Sequence, residues 1–196
     1  IHLSTDYVFD GTSSTPYQSH EHPSPIGIYG ASKLTGEEAV QSAFHKAETQ
    51  GKFWIFRVAW LYDVRGKNFL TTMLRLAEKN IPLRIVNDQW GAPTAAGPLA
   101  AMLIDCIETP HRLPAGMWHY GTKGPTHWCE FAQAIFELSD LKVEVQPCSS
   151  SEYPTKALRP AYSYLDPKPL MEALGKQAVP WLDELKACLM ENGESK

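Results

Sequence analysis

Tyr29 and Lys33 stand four residues apart in the run Tyr29-Gly30-Ala31-Ser32-Lys33. On a helix, that spacing puts the phenol and the ammonium on one face. A free tyrosine, with a pKa of about 10, is a poor acid–base group at neutral pH. A lysine cation beside it stabilises the phenolate and draws the pKa down. The pair therefore suits general acid catalysis at a carbonyl oxygen. Chance competes with this reading, because composition alone supplies about half such a match. A second match, Tyr164 to Lys168, is discarded because Pro167 breaks the helix that would align it. Context favours the first match. The run Ser4 to Gly11 places hydroxyls, Thr5 among them, at the end of a strand, and open α/β sheets hold their ligands at the carboxyl ends of strands. A strand-end hydroxyl to bind the carbonyl, a phenol to protonate it and a nicotinamide to supply hydride form a layout for carbonyl reduction.

The elements that must position these groups alternate between strand and helix. Residues 1–9 read as a strand, and 10–28 as a loop holding Asp10-Gly11, Pro16, Pro23 and Pro25. A helix follows from Tyr29 to about Glu48, ended by Gly51. The nearly continuous apolar run from Phe53 to Leu61 predicts a strand covered on both faces. Further helices are predicted over 68–79, 98–107, 126–138 (with Thr126 as its cap) and 180–190. Further strands are predicted over 83–86, 117–120 and 142–146, and 148–164 reads as a Ser/Pro-rich loop. The alternation indicates an α/β architecture, with a loop-rich second half built onto the sheet edge.

Composition narrows the function. The chain has 196 residues, 43% hydrophobic and 20% charged, with a formal net charge of -4. That balance excludes disorder as the main state. It also speaks against a dedicated nucleic-acid binder, which would carry a basic excess. No apolar run approaches the roughly 20 residues needed to span a bilayer. Cys106, Cys129, Cys148 and Cys188 show no metal-site spacing and fit free thiols in a reducing, cytoplasmic compartment. The chain opens on Ile1, inside what reads as a strand, and is expected to lack a front portion.

The runs Ser4-Thr5-Asp6-Tyr7-Val8-Phe9-Asp10-Gly11 and Tyr29-Gly30-Ala31-Ser32-Lys33-Leu34-Thr35-Gly36-Glu37 resemble the extended short-chain dehydrogenases. Three further blocks, Phe56 to Tyr62, Gly66 to Phe69 and Asn87 to Thr94, narrow the resemblance to the dTDP-4-dehydrorhamnose reductases. It covers nearly the whole chain. It implies a Rossmann-like doubly wound parallel sheet, of which residues 1–66 are the C-terminal part. Residues 67–196 would be mainly a smaller α/β substrate-binding lobe, with segments returning to the sheet. NADPH or NADH would be the cofactor and a dTDP-sugar the substrate, with a homodimer as the assembly to test. Tyr29 would be the proton donor, Lys33 would orient the nicotinamide ribose, and Thr5 would polarise the keto group. Asp6 and Trp60 would contact the sugar. Asn68, Gln89 and Arg159 would complete the pocket, Arg159 because a guanidinium suits a diphosphate. The family's glycine-rich dinucleotide fingerprint is absent from this sequence, and the missing front would amount to about 100 residues.

Competing readings remain. Trp60 at a strand end is ordinarily core, and Trp54, Trp128 and Trp181 sit in apolar patterns that read as core. His20-Glu21-His22 offers two metal ligands without a third in view, and a divalent-ion requirement has no signature in the residues. A sugar-nucleotide epimerase or dehydratase would keep the same Tyr–Lys pair. A non-catalytic relative, of the kind that serves as a methionine adenosyltransferase regulatory subunit, would keep the fold without needing the pair.

Overall fold

The computed structural model describes residues 1–46, 51–79 and 81–193. Its central sheet has three parallel strands in the order β1 (His2–Thr5), β2 (Trp54–Val58), β7 (Gly116–His119). Thr5 pairs with Val58 and Arg57 with His119, so the strand ends that carry polar side chains lie at one edge. Every residue of β2 is buried, as its unbroken apolar run requires. Parallel strands need crossovers, and helices supply them. Helix α1 (Ile28–Lys46) follows β1 and packs on it. Ala59 and Trp60 lie between β2 and the next strand. Trp60 adopts a left-handed backbone (φ 48°), and β3 (Leu61–Tyr62) then pairs with β6 (Thr94–Ala95).

The remaining elements form the second lobe and its links to the sheet. They are α2 (Phe69–Ala77), β4 (Leu83–Val86), β5 (Trp90–Gly91), α3 (Ala96–Glu108), β8 (Thr126–His127), α4 (Trp128–Leu138), β9 (Val145–Cys148), α5 (Lys168–Ala173) and α6 (Trp181–Gly193). Strand β4 runs parallel to β9, and β5 pairs antiparallel with β8. One core lies over the sheet, where Leu99, Met102 and Cys106 of α3 and Leu170 and Met171 of α5 meet Trp54 and Phe56. A second core joins Leu70 and Met73 of α2, Phe131 and Ile135 of α4 and Leu185 of α6. Phe131 is fully buried, and truncating such an aromatic to alanine costs about 3–5 kcal/mol.

Several boundaries depart from the sequence reading. The first strand stops at Thr5, because the Thr5 hydroxyl accepts the Tyr7 N–H and starts a 3₁₀ turn over Asp6–Val8. The expected end of α1 at Glu48 lies outside the described residues. The fourth helix is capped by His127, whose Nδ1 accepts the Glu130 N–H, while Thr126 donates instead to the Glu130 carboxylate. The expected strand at 142–146 begins at Val145, and α5 was not anticipated. Cys106, Cys129 and Cys148 are buried outside any disulfide.

Candidate active site

Two local features set Tyr29 against the end of β1. The α1 helix begins just before it, and Gly30 lies on the 3₁₀ turn that follows β1. A Cβ at Gly30 would sit 2.0 Å from the Tyr7 carbonyl oxygen, so only glycine lets the helix come this close. Tyr29 is 58% exposed, and its ring meets the edge of Tyr7 at 6.1 Å. One turn on, Lys33 is half-buried and its Nζ donates to the Leu3 carbonyl at 2.5 Å. Lysine carries three donors, so this bond anchors α1 to β1 and still lets the ammonium face a ligand.

Thr5 is buried at the strand end and donates to Asp6 Oδ1 at 3.0 Å. Asp6 is 2% exposed, and its Oδ2 lacks a hydrogen-bond partner. Burial pushes its pKa up to about 6, against the opposing pull of the Ser163 and Thr5 hydroxyls. Burial, reinforced by the Asp6 charge, pushes Tyr7 up to about 12.

These groups line one open cavity of about 810 Å³, within the range of ligand pockets. Six residues singled out from sequence meet there: Thr5, Asp6, Tyr29, Lys33, Trp60 and Arg159. Arg159 is exposed at the rim. Its segment is carried there by Trp90, whose backbone bonds Ala161 and Ser163 at 2.8 and 2.7 Å. Two other candidates do not line the cavity. Asn68 caps α2, accepting the Thr71 N–H at 3.1 Å and donating to the Asp63 and Arg65 carbonyls, so its amide is engaged locally. Gln89 is buried and donates to Ser150 at 2.8 Å, holding the 148–160 loop. Sequence reasoning missed Tyr7 and Trp128, which both line the cavity. Tyr7 stands inside the same motif as Thr5. Trp128 gave no signal, because its neighbours share the apolar pattern of a core helix.

The comparisons with known proteins bear on this geometry. The family model described as RmlD substrate binding domain matches residues 1–193. The chain belongs to that family. A dTDP-4-dehydrorhamnose reductase of Burkholderia thailandensis is 40% identical over 97% of this chain and 67% of its own length. The spore coat polysaccharide biosynthesis protein SpsK of Bacillus subtilis is 37% identical over 100% of this chain and 65% of its own. A Bacillus anthracis dTDP-4-dehydrorhamnose reductase, solved in complex with NADP, superposes with a TM-score of 0.86 at 36% identity, over 97% of this chain and 64% of that one. The chain thus spans about two thirds of the length of these family members. The residues that frame the cavity fit a dinucleotide's nicotinamide end, since an exposed phenol and a lysine donor share its wall. Among the described residues no cluster of three His, Cys, Asp or Glu is arranged to hold a metal ion. No helix among them is long and apolar enough to cross a membrane.

Proposed function

We propose that this chain carries the catalytic and sugar-binding part of an NAD(P)H-dependent reductase. The reaction is dTDP-4-dehydro-L-rhamnose to dTDP-L-rhamnose, a step of nucleotide-sugar and cell-surface polysaccharide synthesis. The observation that carries this reading is the convergence of Thr5, Tyr29, Lys33 and Arg159 on one cavity. The names of the 40% and 36% identical relatives support it. The buried thiols outside any disulfide support a reducing, cytoplasmic setting.

The nicotinamide, when bound, supplies the hydride that reduces C4 of the keto sugar. Tyr29 and Lys33 would hold its ribose, and Tyr29 would give its proton to the C4 oxygen as negative charge develops there. Thr5 donates to that oxygen as well. Its hydroxyl donates to Asp6 Oδ1 at 3.0 Å, so donation to the keto oxygen takes the same proton away from that carboxylate. Arg159 at the rim meets the diphosphate, and Trp60 packs on the hexose.

The test is the whole protein incubated with dTDP-4-dehydro-L-rhamnose and NADPH, with the product identified and NADPH consumption followed. The expected result is one NADPH oxidised per dTDP-L-rhamnose formed. Tyr29→Phe should lower turnover roughly 10²–10⁴-fold with little change in KM. An epimerised product without net NADPH consumption would replace the reductase by an epimerase. Full activity of Tyr29→Phe would end the catalytic reading.

A further inference from the structure

Trp60 is held in an unusual way. Its left-handed backbone (φ 48°) is uncommon for a bulky residue and persists only where the surroundings enforce it. The Trp60 carbonyl accepts the Thr94 N–H at 3.2 Å. Its indole stacks on Trp128, with ring centroids 3.6 Å apart and planes 11° from parallel. On Trp60's Cε2, Cζ2 and Nε1 atoms lies Gly91, where an added Cβ would fall 2.7 to 2.9 Å away. The ladder between β5 and β8 pairs Gly91 with Thr126 and Trp90 with His127. This places Gly91 two residues in register from Trp128, the first residue of α4. Phe69 backs Trp128 at 4.6 Å.

Both indoles line the cavity beside Thr5 and Tyr29. Packed like this, they form a single rigid wall, and a ligand in the cavity meets the pair rather than one free ring. An aromatic pair of this kind presents an apolar face to the C–H surface of a hexose at small conformational cost. Without a side chain, Gly91 leaves the space that the Trp60 ring fills.

We propose that Trp128 is a second substrate-contacting residue and that Gly91 is a positioning residue, acting through Trp60 to place the hexose before Tyr29. This deepens the reductase reading and rests on it for the identity of the sugar. A methyl group at position 91 pushes the Trp60 indole off Trp128 and out of register with the hexose. The loss falls on binding of the sugar, because no proton donor has moved.

The experiment takes Gly91→Ala, Trp128→Ala and Trp128→Phe in the whole protein. Three readouts are made on each: KM and kcat for the dTDP-4-keto sugar, near-ultraviolet circular dichroism of the coupled indoles, and quenching of tryptophan fluorescence by dTDP-L-rhamnose. Gly91→Ala should raise KM roughly 10–100-fold with a smaller fall in kcat. Trp128→Ala should raise KM about 10-fold, and Trp128→Phe, which keeps a ring, should recover most of that. The dichroic signal of the coupled pair should collapse in all three, while far-ultraviolet spectra stay unchanged. KM and quenching titrations equal to wild type in Gly91→Ala and Trp128→Ala, with the coupled signal lost, would overturn the proposal. Should the wild type show no turnover, the quenching titration still decides. Weakened dTDP-L-rhamnose binding in the variants would uphold the wall while the reductase reading fails, and unaltered binding would sink the wall as well.

Discussion

Strand β1 and helix α1 build two regions of opposite character. Tyr29, Lys33 and Glu37 recur every four residues along one stripe of α1, and Ser4 and Thr5 are neighbours on β1. Tyr29 and Thr5 face the open cavity. Glu37 and Ser4 face the interior, where Glu37 is wholly buried and accepts Arg57 through both oxygens, at 2.9 and 2.7 Å. Ser4 donates to the same carboxylate, and the Arg57 guanidinium lies 5.0 Å from the Phe9 ring centroid. His119 completes the cluster. Its Nδ1 donates to the Tyr17 carbonyl at 3.0 Å, which turns the Nε2 lone pair toward Arg57. In the interior most polar atoms are met by the protein itself. In the cavity, the Asp6 Oδ2 is left without a partner and Tyr29 is left exposed. The contrast teaches that one helix stripe can both lock the helix rotation and present the reactive phenol. The closed cluster supplies the rigidity that the open one needs.

The largest expected effect breaks the closed region. Glu37→Gln leaves the Arg57 cation buried without its counter-charge and should destabilise the fold by about 3–5 kcal/mol. Urea unfolding measures this, and a change below about 1 kcal/mol would show that the pair does not lock α1.

The next effect separates the regions by pH. Burial, with the Arg57 charge adding to it, lowers His119 to about 3. The unfolded chain therefore holds this proton between about pH 6.5 and 3 while the folded chain does not, so stability falls as pH falls through that window. Asp6 has the opposite sign. Its folded pKa of about 6 lies above the unfolded value of 3.8, so the folded chain holds more protons and stability falls as pH rises between them. Each group contributes a slope of up to about 1.4 kcal/mol per pH unit. In unfolding curves taken from pH 4 to 6, His119→Asn should tilt the wild-type profile toward greater stability at low pH. Asp6→Asn should tilt it the other way. Profiles parallel to wild type would show that neither group titrates with folding.

At pH 8 Asp6→Asn should also raise stability by on the order of 2–3 kcal/mol, because it removes a buried charge, while turnover falls. A stability loss there would mean that the buried Asp6 carboxylate gains more from its hydrogen bonds than burial costs it.

The smallest effect concerns Asn68. Asn68→Ala removes the α2 cap and should cost about 0.5–2 kcal/mol in thermal or urea unfolding with KM for the sugar unchanged. A raised KM would return Asn68 to the pocket.

Much of this was legible in the residues. The order β1, α1, β2 followed from the proline-rich loop after the first strand, from the helical periodicity after Tyr29 and from the apolar run of β2. The Tyr29–Lys33 spacing and the Thr5 hydroxyl at a strand end announced one cavity wall. Other assignments depended on partners far along the chain. Gln89 reads as a polar pocket residue until Ser150, 61 positions away, is found to accept its amide hydrogen bond. Trp128 reads as core until Trp60, from another element, stacks on it.

The sequence by itself determined the α/β alternation and the helix that aligns Tyr29 with Lys33. These are local matters of periodicity and propensity, whereas glycine is required at 30 and 91 only because Tyr7 and Trp60 pack there. Only the tertiary structure decided which polar groups face the cavity and which are consumed in caps, latches and the Arg57–Glu37 cluster. Burial and hydrogen-bond satisfaction depend on what is packed alongside, and that neighbour comes from a distant part of the chain.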